Sequence, residues 1–259
     1  MNRTVLITGA ARRIGEALAR ELARAGWNVV LHAHHSIRAA DALRDELRAQ
    51  GVQAWRVRGD LQPPGGADAV FDAALAEAGG IDAVVNNAAC FERQSLADAT
   101  PEAFDALWRL NTLAPIRLTQ RLAAHTSARQ TAGCVVNLLD QRIALPHAGC
   151  LPYLLSKQAL ATFTTCAALE WAPSGLRINA VAPGAVLTPV TEADREPAGG
   201  FPLGRRPTVR HIAEAVRFLL EAESVTGQIL YTDGGQHLMG QAHLATPPDF
   251  HKPESGVHA

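Results

Sequence analysis

Residues 3–26 read RTVLITGAARRIGEALARELARAG. RTVLIT, residues 3–8, has the character of a short buried strand. The turn TGAARRIG follows from Thr8 to Gly15. Beyond it, Ile14, Leu18, Leu22 and Ala25 recur at helical spacing until Gly26 stops the helix. Strand, glycine turn and helix in this order make a phosphate cradle. Gly9 and Gly15 permit a tight turn and close helix packing, and the helix N-terminus offers backbone N–H groups to an anion. The middle glycine of such turns is replaced by Arg13, so the bare motif is less specific than G-x-G-x-x-G. Arg13 would set a planar guanidinium beside a pyrophosphate or a bound substrate.

The same alternation continues along the chain. Strands are predicted at 27–33, 52–58, 81–86, 134–139, 176–184 and 226–235. Helices are predicted at 36–50, about 66–78, roughly 102–128 and from Pro152 to about Trp171. Such a series builds a parallel sheet with helices on both faces. The expectation is α/β: a single doubly wound, Rossmann-like domain of about seven strands over residues 1–240. Residues 187–207, rich in Pro, Gly and Thr, are expected to form a mobile loop near the later strands that covers the substrate. Residues 241–259 are expected to be an irregular tail.

Composition narrows the function. The chain has 259 residues, 47% hydrophobic and 19% charged, with net charge −1. No basic excess points to nucleic acid and no polybasic cluster points to an anionic membrane. No apolar run would span a bilayer, and the first ten residues lack a signal-peptide core. Cys90, Cys134, Cys150 and Cys166 form no C-x-x-C pair and no metal-ligand spacing. Reduced thiols, no metal and a cytoplasmic location are the expectations.

The chemistry concentrates in DQRIALPHAGCLPYLLSK, Asp140 to Lys157. Pro152 suits the first turn of a helix, and Tyr153 and Lys157, four apart, then share one face. An ammonium beside a phenol favours the phenolate, so Lys157 is expected to lower the Tyr153 pKa and make it a proton donor at neutral pH. At the end of the second strand, HAHHSIR (32–38) has no acid to bind ribose hydroxyls and repel an added phosphate. His34, His35, Ser36 and Arg38 offer donors, with Arg12 in the neighbouring turn. NADPH is therefore predicted over NADH.

Together these residues resemble the short-chain dehydrogenase/reductase family over nearly the whole chain, to about residue 240. The matching motifs are Thr8-Gly9…Gly15, Asp60, Asn86-Asn87-Ala88, Asn111, Tyr153 with Lys157, Pro183-Gly184 and Asp233-Gly234-Gly235. The resemblance implies a proton-donating Tyr153, a Lys157 that binds the nicotinamide ribose, and an Asn111 that relays protons through water. It also implies a cofactor set of Gly9, Arg12, Arg13, Ile14, Gly15, His34, His35, Ser36, Asp60, Leu61, Asn87, Ala88, Ala89, Pro183 and Gly184, with Tyr153 and Lys157. A homotetramer is implied too.

Two departures are informative. The family usually has a serine thirteen residues before the tyrosine, where this chain has Asp140, and a glycine where it has Arg13. Both resemble the pteridine reductase branch, which includes dihydromonapterin reductases. That likeness implies a small-molecule pterin or folate substrate, with Phe91 stacking on the ring and Arg13, Asp140 and Tyr153 contacting it. An ionised carboxylate cannot donate to a ketone oxygen, but it can accept from amino and ring N–H groups. The competing readings are a ketone or 3-oxoacyl reductase, and a non-catalytic NADP sensor.

Overall fold

The computed structural model describes residues 3–145, 147–186 and 201–239. In chain order the strands are β1 (Thr4–Ile7), β2 (Asn28–Ala33), β3 (Ala54–Arg58), β4 (Ala83–Asn86), β5 (Gly133–Leu138), β6 (Leu176–Pro183) and β7 (Ile229–Thr232). The helices are α1 (Arg13–Arg24), α2 (Ile37–Ala49), α3 (Gly66–Ala78), α4 (Pro101–Trp108), α5 (Ala114–Ala128), α6 (Leu151–Trp171) and α7 (Val209–Glu221).

Side chains alternate across a strand, so each strand feeds two cores. Val5 and Ile7 of β1 pack with Leu18 and Leu22 of α1, Leu43 and Leu47 of α2, and Ile212 and Val216 of α7. Leu6 points the other way, among Val70 and Phe71 of α3 and Leu118 and Leu122 of α5. Burial on both faces is why these strands are apolar throughout rather than alternating.

The seven strands form one sheet in the order β3-β2-β1-β4-β5-β6-β7. Every pairing is parallel. Chain order reverses between β1 and β4, which opens a crevice outside their carboxyl ends. The predicted fold is the one observed.

Three local features differ from the sequence reading. The helix expected over 102–128 is broken by a π-helical turn, Arg109–Leu113, between α4 and α5. No helix was anticipated at α7, whose C-terminal carbonyls Leu219 and Leu220 are capped by the Arg177 guanidinium at 2.7 and 2.8 Å. A 3₁₀ turn, Gln141–Ala144, follows β5 directly. Of the expected loop at 187–207, residues 187–200 lie outside the described residues, as does the tail 241–259. No described helix is long and apolar enough to cross a membrane.

Candidate active site

The sequence-predicted site residues gather at the carboxyl ends of the strands. Thr8 and Gly9 follow β1, His34 follows β2, Asp60 follows β3, Asn87 and Ala88 follow β4, Asp140 follows β5, and Gly184 follows β6.

The turn after β1 is locked to the segment after β4. Thr8 Oγ1 accepts from Asn87 N and Ala88 N, both at 2.9 Å. Asn87 Nδ2 donates to Thr8 O at 2.8 Å and Gly9 O at 3.0 Å. Gly9 has φ +62°, and a Cβ on Gly15 would lie 2.1 Å from Gly9 O. Only glycine fits at Gly15. Arg13 also sits in the left-handed region, at φ 58°, where a non-glycine residue costs about 1–2 kcal/mol. The geometry thus retains the preference for the glycine that the sequence lacks. Arg12, the N-cap of α1, makes no side-chain bond to the first N–H groups of the helix. Those groups have no intrahelical acceptors and suit a phosphate. Ile14 packs against the core beneath the turn.

His32 is a residue the sequence reading passed over. Its ring is buried, with Nδ1 accepting from Gly9 N at 3.2 Å and Nε2 donating to Gly59 O at 3.1 Å. Burial lowers its pKa from 6.5 to about 4, so the neutral tautomer fixes the turn against the end of β3. A lone histidine at a strand end carries no signal of this. The His34 and His35 ring centroids lie 3.6 Å apart, with the ring planes tilted by 31°. His34 Nε2 lies 3.9 Å from Asp60 Oδ2, both side chains well exposed. Asp60 Oδ1 accepts from Gln62 N at 3.0 Å, and Leu61 beside it is buried. Ser36 caps α2. On the far side, Gly184 N donates to Thr232 O at 3.2 Å, and a Cβ on Gly184 would come within 2.6 Å of Gln236. Pro183 ends β6 in register with Thr232.

The second cluster surrounds Tyr153, in the first turn of α6. Its hydroxyl donates to Asp140 Oδ2 at 2.9 Å. The same oxygen meets Arg142 Nη1 at 3.0 Å, and Asp140 Oδ1 accepts from Arg142 N at 2.9 Å. Phe91 stands edge-on to Tyr153, ring centroids 4.8 Å apart, and remains 44% exposed. Lys157 is buried, with Nζ donating to Leu138 O at 2.8 Å and lying 5.9 Å from the Tyr153 ring centre.

These contacts reverse the expected titration of Tyr153. Burial raises its pKa well above the ordinary value, and the Asp140 carboxylate raises it further while Arg142 opposes. The effect of Lys157 is not the dominant one, because its ammonium turns to a backbone carbonyl. Burial lowers the Lys157 pKa from 10.5 to about 8, against the pull of Asp140. Asn111 lies in the π turn. Its Oδ1 accepts from Cys90 N at 3.0 Å, and its Nδ2 donates to Cys90 O at 2.9 Å and Ser156 Oγ at 3.1 Å. Both amide hydrogens are used, so the side chain ties the segment carrying Ala89 and Phe91 to α6.

The family model described as Enoyl-(Acyl carrier protein) reductase matches residues 9–237. An uncharacterized oxidoreductase of Bacillus subtilis, YmfI, is 35% identical, over 92% of this chain and 100% of the relative. The 3-oxoacyl-[acyl-carrier-protein] reductase FabG of Staphylococcus aureus is 29% identical, over 92% of this chain and 99% of the relative. Among solved structures, FolM alternative dihydrofolate reductase 1 from Brucella suis, in complex with NADP, superposes with TM-score 0.84 and 32% identity. That match covers 92% of this chain and 97% of the other.

Proposed function

We propose, given that this chain belongs to the short-chain dehydrogenase/reductase family, that it reduces a pterin-type ring with NADPH. The substrate class is a dihydropterin, a biopterin or dihydrofolate. One observation carries the reading. Where the family pattern has a serine donor, Asp140 Oδ2 accepts from the Tyr153 hydroxyl at 2.9 Å, with Phe91 standing beside it. An ionised carboxylate is acceptor-only. It suits a ring bearing amino and N–H groups and repels the charge that grows on a ketone oxygen. The resemblance to the FolM dihydrofolate reductase structure supports the same reading.

The residues present fit the cofactor. The uncapped start of α1 would hold the pyrophosphate, Arg12, His34, His35 and Ser36 the adenosine side, and Asp60 and Leu61 the adenine. Lys157 would hold the nicotinamide ribose beside Asn87, Ala88, Ala89, Pro183 and Gly184. Bound there, NADPH supplies a hydride to the carbon of an unsaturated C–N bond. Tyr153 delivers the proton to the nitrogen, and a solvent proton passed on through the Asp140 carboxylate, already bonded to that hydroxyl, restores the phenol. Phe91 gives the flat ring a wall, and Arg13 stands near the pyrophosphate or the ring.

The test is NADPH oxidation at 340 nm with dihydrobiopterin, dihydrofolate and a simple ketone. Pterin turnover is expected; turnover of the ketone alone overturns the reading. Tyr153→Phe should lower kcat about 10²–10⁴-fold, the usual contribution of a general acid, with NADPH affinity kept. Asp140→Ser should weaken pterin reduction and admit ketones; unchanged pterin kinetics would make Asp140 a bystander. A 3-oxoacyl or ketone reductase is the second reading. The FabG relative favours it, as does Arg142, which offsets the Asp140 charge.

A tetramer is the proposed assembly. Exposed Trp108, Leu113, Leu155 and Leu169 on and between α4, α5 and α6 support burial of that face against a second copy.

A further inference from the structure

Arg142 is the charged group of the Tyr153 cluster that neither the sequence reading nor the mechanism above uses. The 3₁₀ turn that Asp140 caps directs it back over the site. Its Nη1 pairs with Asp140 Oδ2 at 3.0 Å. Its guanidinium carbon lies 5.5 Å from the Phe91 ring centre, within cation–π range. Its Nε is buried and has no hydrogen-bond partner among the described residues. An unpaired buried donor costs about 1–3 kcal/mol. A turn of the guanidinium towards an acceptor brought by a ligand would relieve that cost.

The geometry points to Arg142 as a specificity-determining residue: with Asp140 it sets a donor beside an acceptor, complementary to a lactam edge, an N–H next to a C=O, on the ring that lies along Phe91. This rests on the pterin reading and deepens it. A carboxylate alone would accept equally from an amino group or any ring N–H. Adding the guanidinium makes the neighbouring ring oxygen part of recognition. Sites built to bond a polar substrate group discriminate strongly against analogues that lack it, because the protein's own buried group is then left unpaired. Removing the ring oxygen also removes the adjacent N–H, so such an analogue offends both partners at once.

The experiment compares 7,8-dihydropterin with the same dihydropteridine lacking the 4-oxo group, using wild type, Arg142→Gln and Arg142→Lys. NADPH affinity and the melting temperature of each variant report intact folding. In the wild type, kcat/KM should favour dihydropterin by at least about tenfold. Arg142→Gln should erase most of that preference, chiefly by raising KM for dihydropterin. Arg142→Lys, which keeps the charge but not the fork, should recover only part of it. A general structural role would lower both substrates alike and leave their ratio in place. If wild type reduces dihydropterin and neither variant changes the ratio, Arg142 has no such role, while the pterin reading stands. If wild type reduces a ketone and neither pteridine, the pterin reading fails and this inference with it.

Discussion

Tyr153 is engaged to an acceptor inside the protein before any substrate competes for its hydrogen. Asp140 takes the O–H, and burial holds the proton on the phenol. Lys157 is tuned in the opposite sense. With its pKa lowered to about 8, the ammonium is present below that pH and is lost as pH rises through it. Its grip on a ribose should follow. NADPH affinity, read by cofactor fluorescence between pH 6.5 and 9.5, is expected to fall above about pH 8 in step with loss of this charge. A flat profile would remove Lys157 from the cofactor site. Much of this was legible at the residue scale: Tyr153 and Lys157, chosen from spacing, and Asp140 and Phe91, chosen from the family resemblance, do stand around one another. Arg142 and His32 were not. Each draws its role from neighbours distant in sequence or folded back on itself, such as Gly9 and Gly59 around His32, and no spacing rule encodes that.

Elements were read best where burial leaves a plain pattern. The apolar strands and α1, with Leu18 and Leu22 inward, were found within a few residues. The missed helix α7 buries Ile212, Val216, Leu219 and Leu220 at helical spacing. Its start lacks the usual acidic partner, because the N-cap Thr208 N–H donates to His211 Nδ1 instead, at 3.1 Å. The π turn was unreadable for another reason: it is one residue of extra winding inside an otherwise unbroken helical pattern. That residue matters to the site. Deleting Leu113, which is exposed, should restore an ordinary helix and swing everything before it by about 100°. Asn111 would then leave Cys90 and Ser156. The expected outcome is a protein with native-like circular dichroism and kcat/KM reduced by about 10² or more, a 1 Å misplacement being enough for that. Wild-type kinetics in the deletion variant would show the clamp to be dispensable.

At the scale of the molecule, His32 ties stability to pH. Its folded pKa of about 4 lies below the value of 6.5 for the free side chain. The folded state therefore binds fewer protons than the unfolded one between those values. The stability it protects is fully present above pH 6.5 and is lost as pH falls towards 4. At 1.36 kcal/mol per unit, the loss is about 3 kcal/mol. Urea unfolding at pH 7 and pH 4.5 should show a drop of this order, smaller in His32→Gln; an equal drop in both would assign it to other groups. The architecture itself was legible, because strand–helix alternation with two-sided burial admits few arrangements. Strand order was not read from the sequence, because it is set by pairing between distant segments.

That order has a consequence in time. β1 is synthesised ahead of β4, yet it pairs with that strand on one side, and the Thr8 hydroxyl waits for Asn87 and Ala88, 79 and 80 residues later. At translation rates of about 5–20 residues per second, the centre of the sheet is made several seconds before the partner that closes it. The nascent chain therefore carries an open apolar strand edge over that interval, and the nucleotide cradle is completed only when the fourth strand arrives.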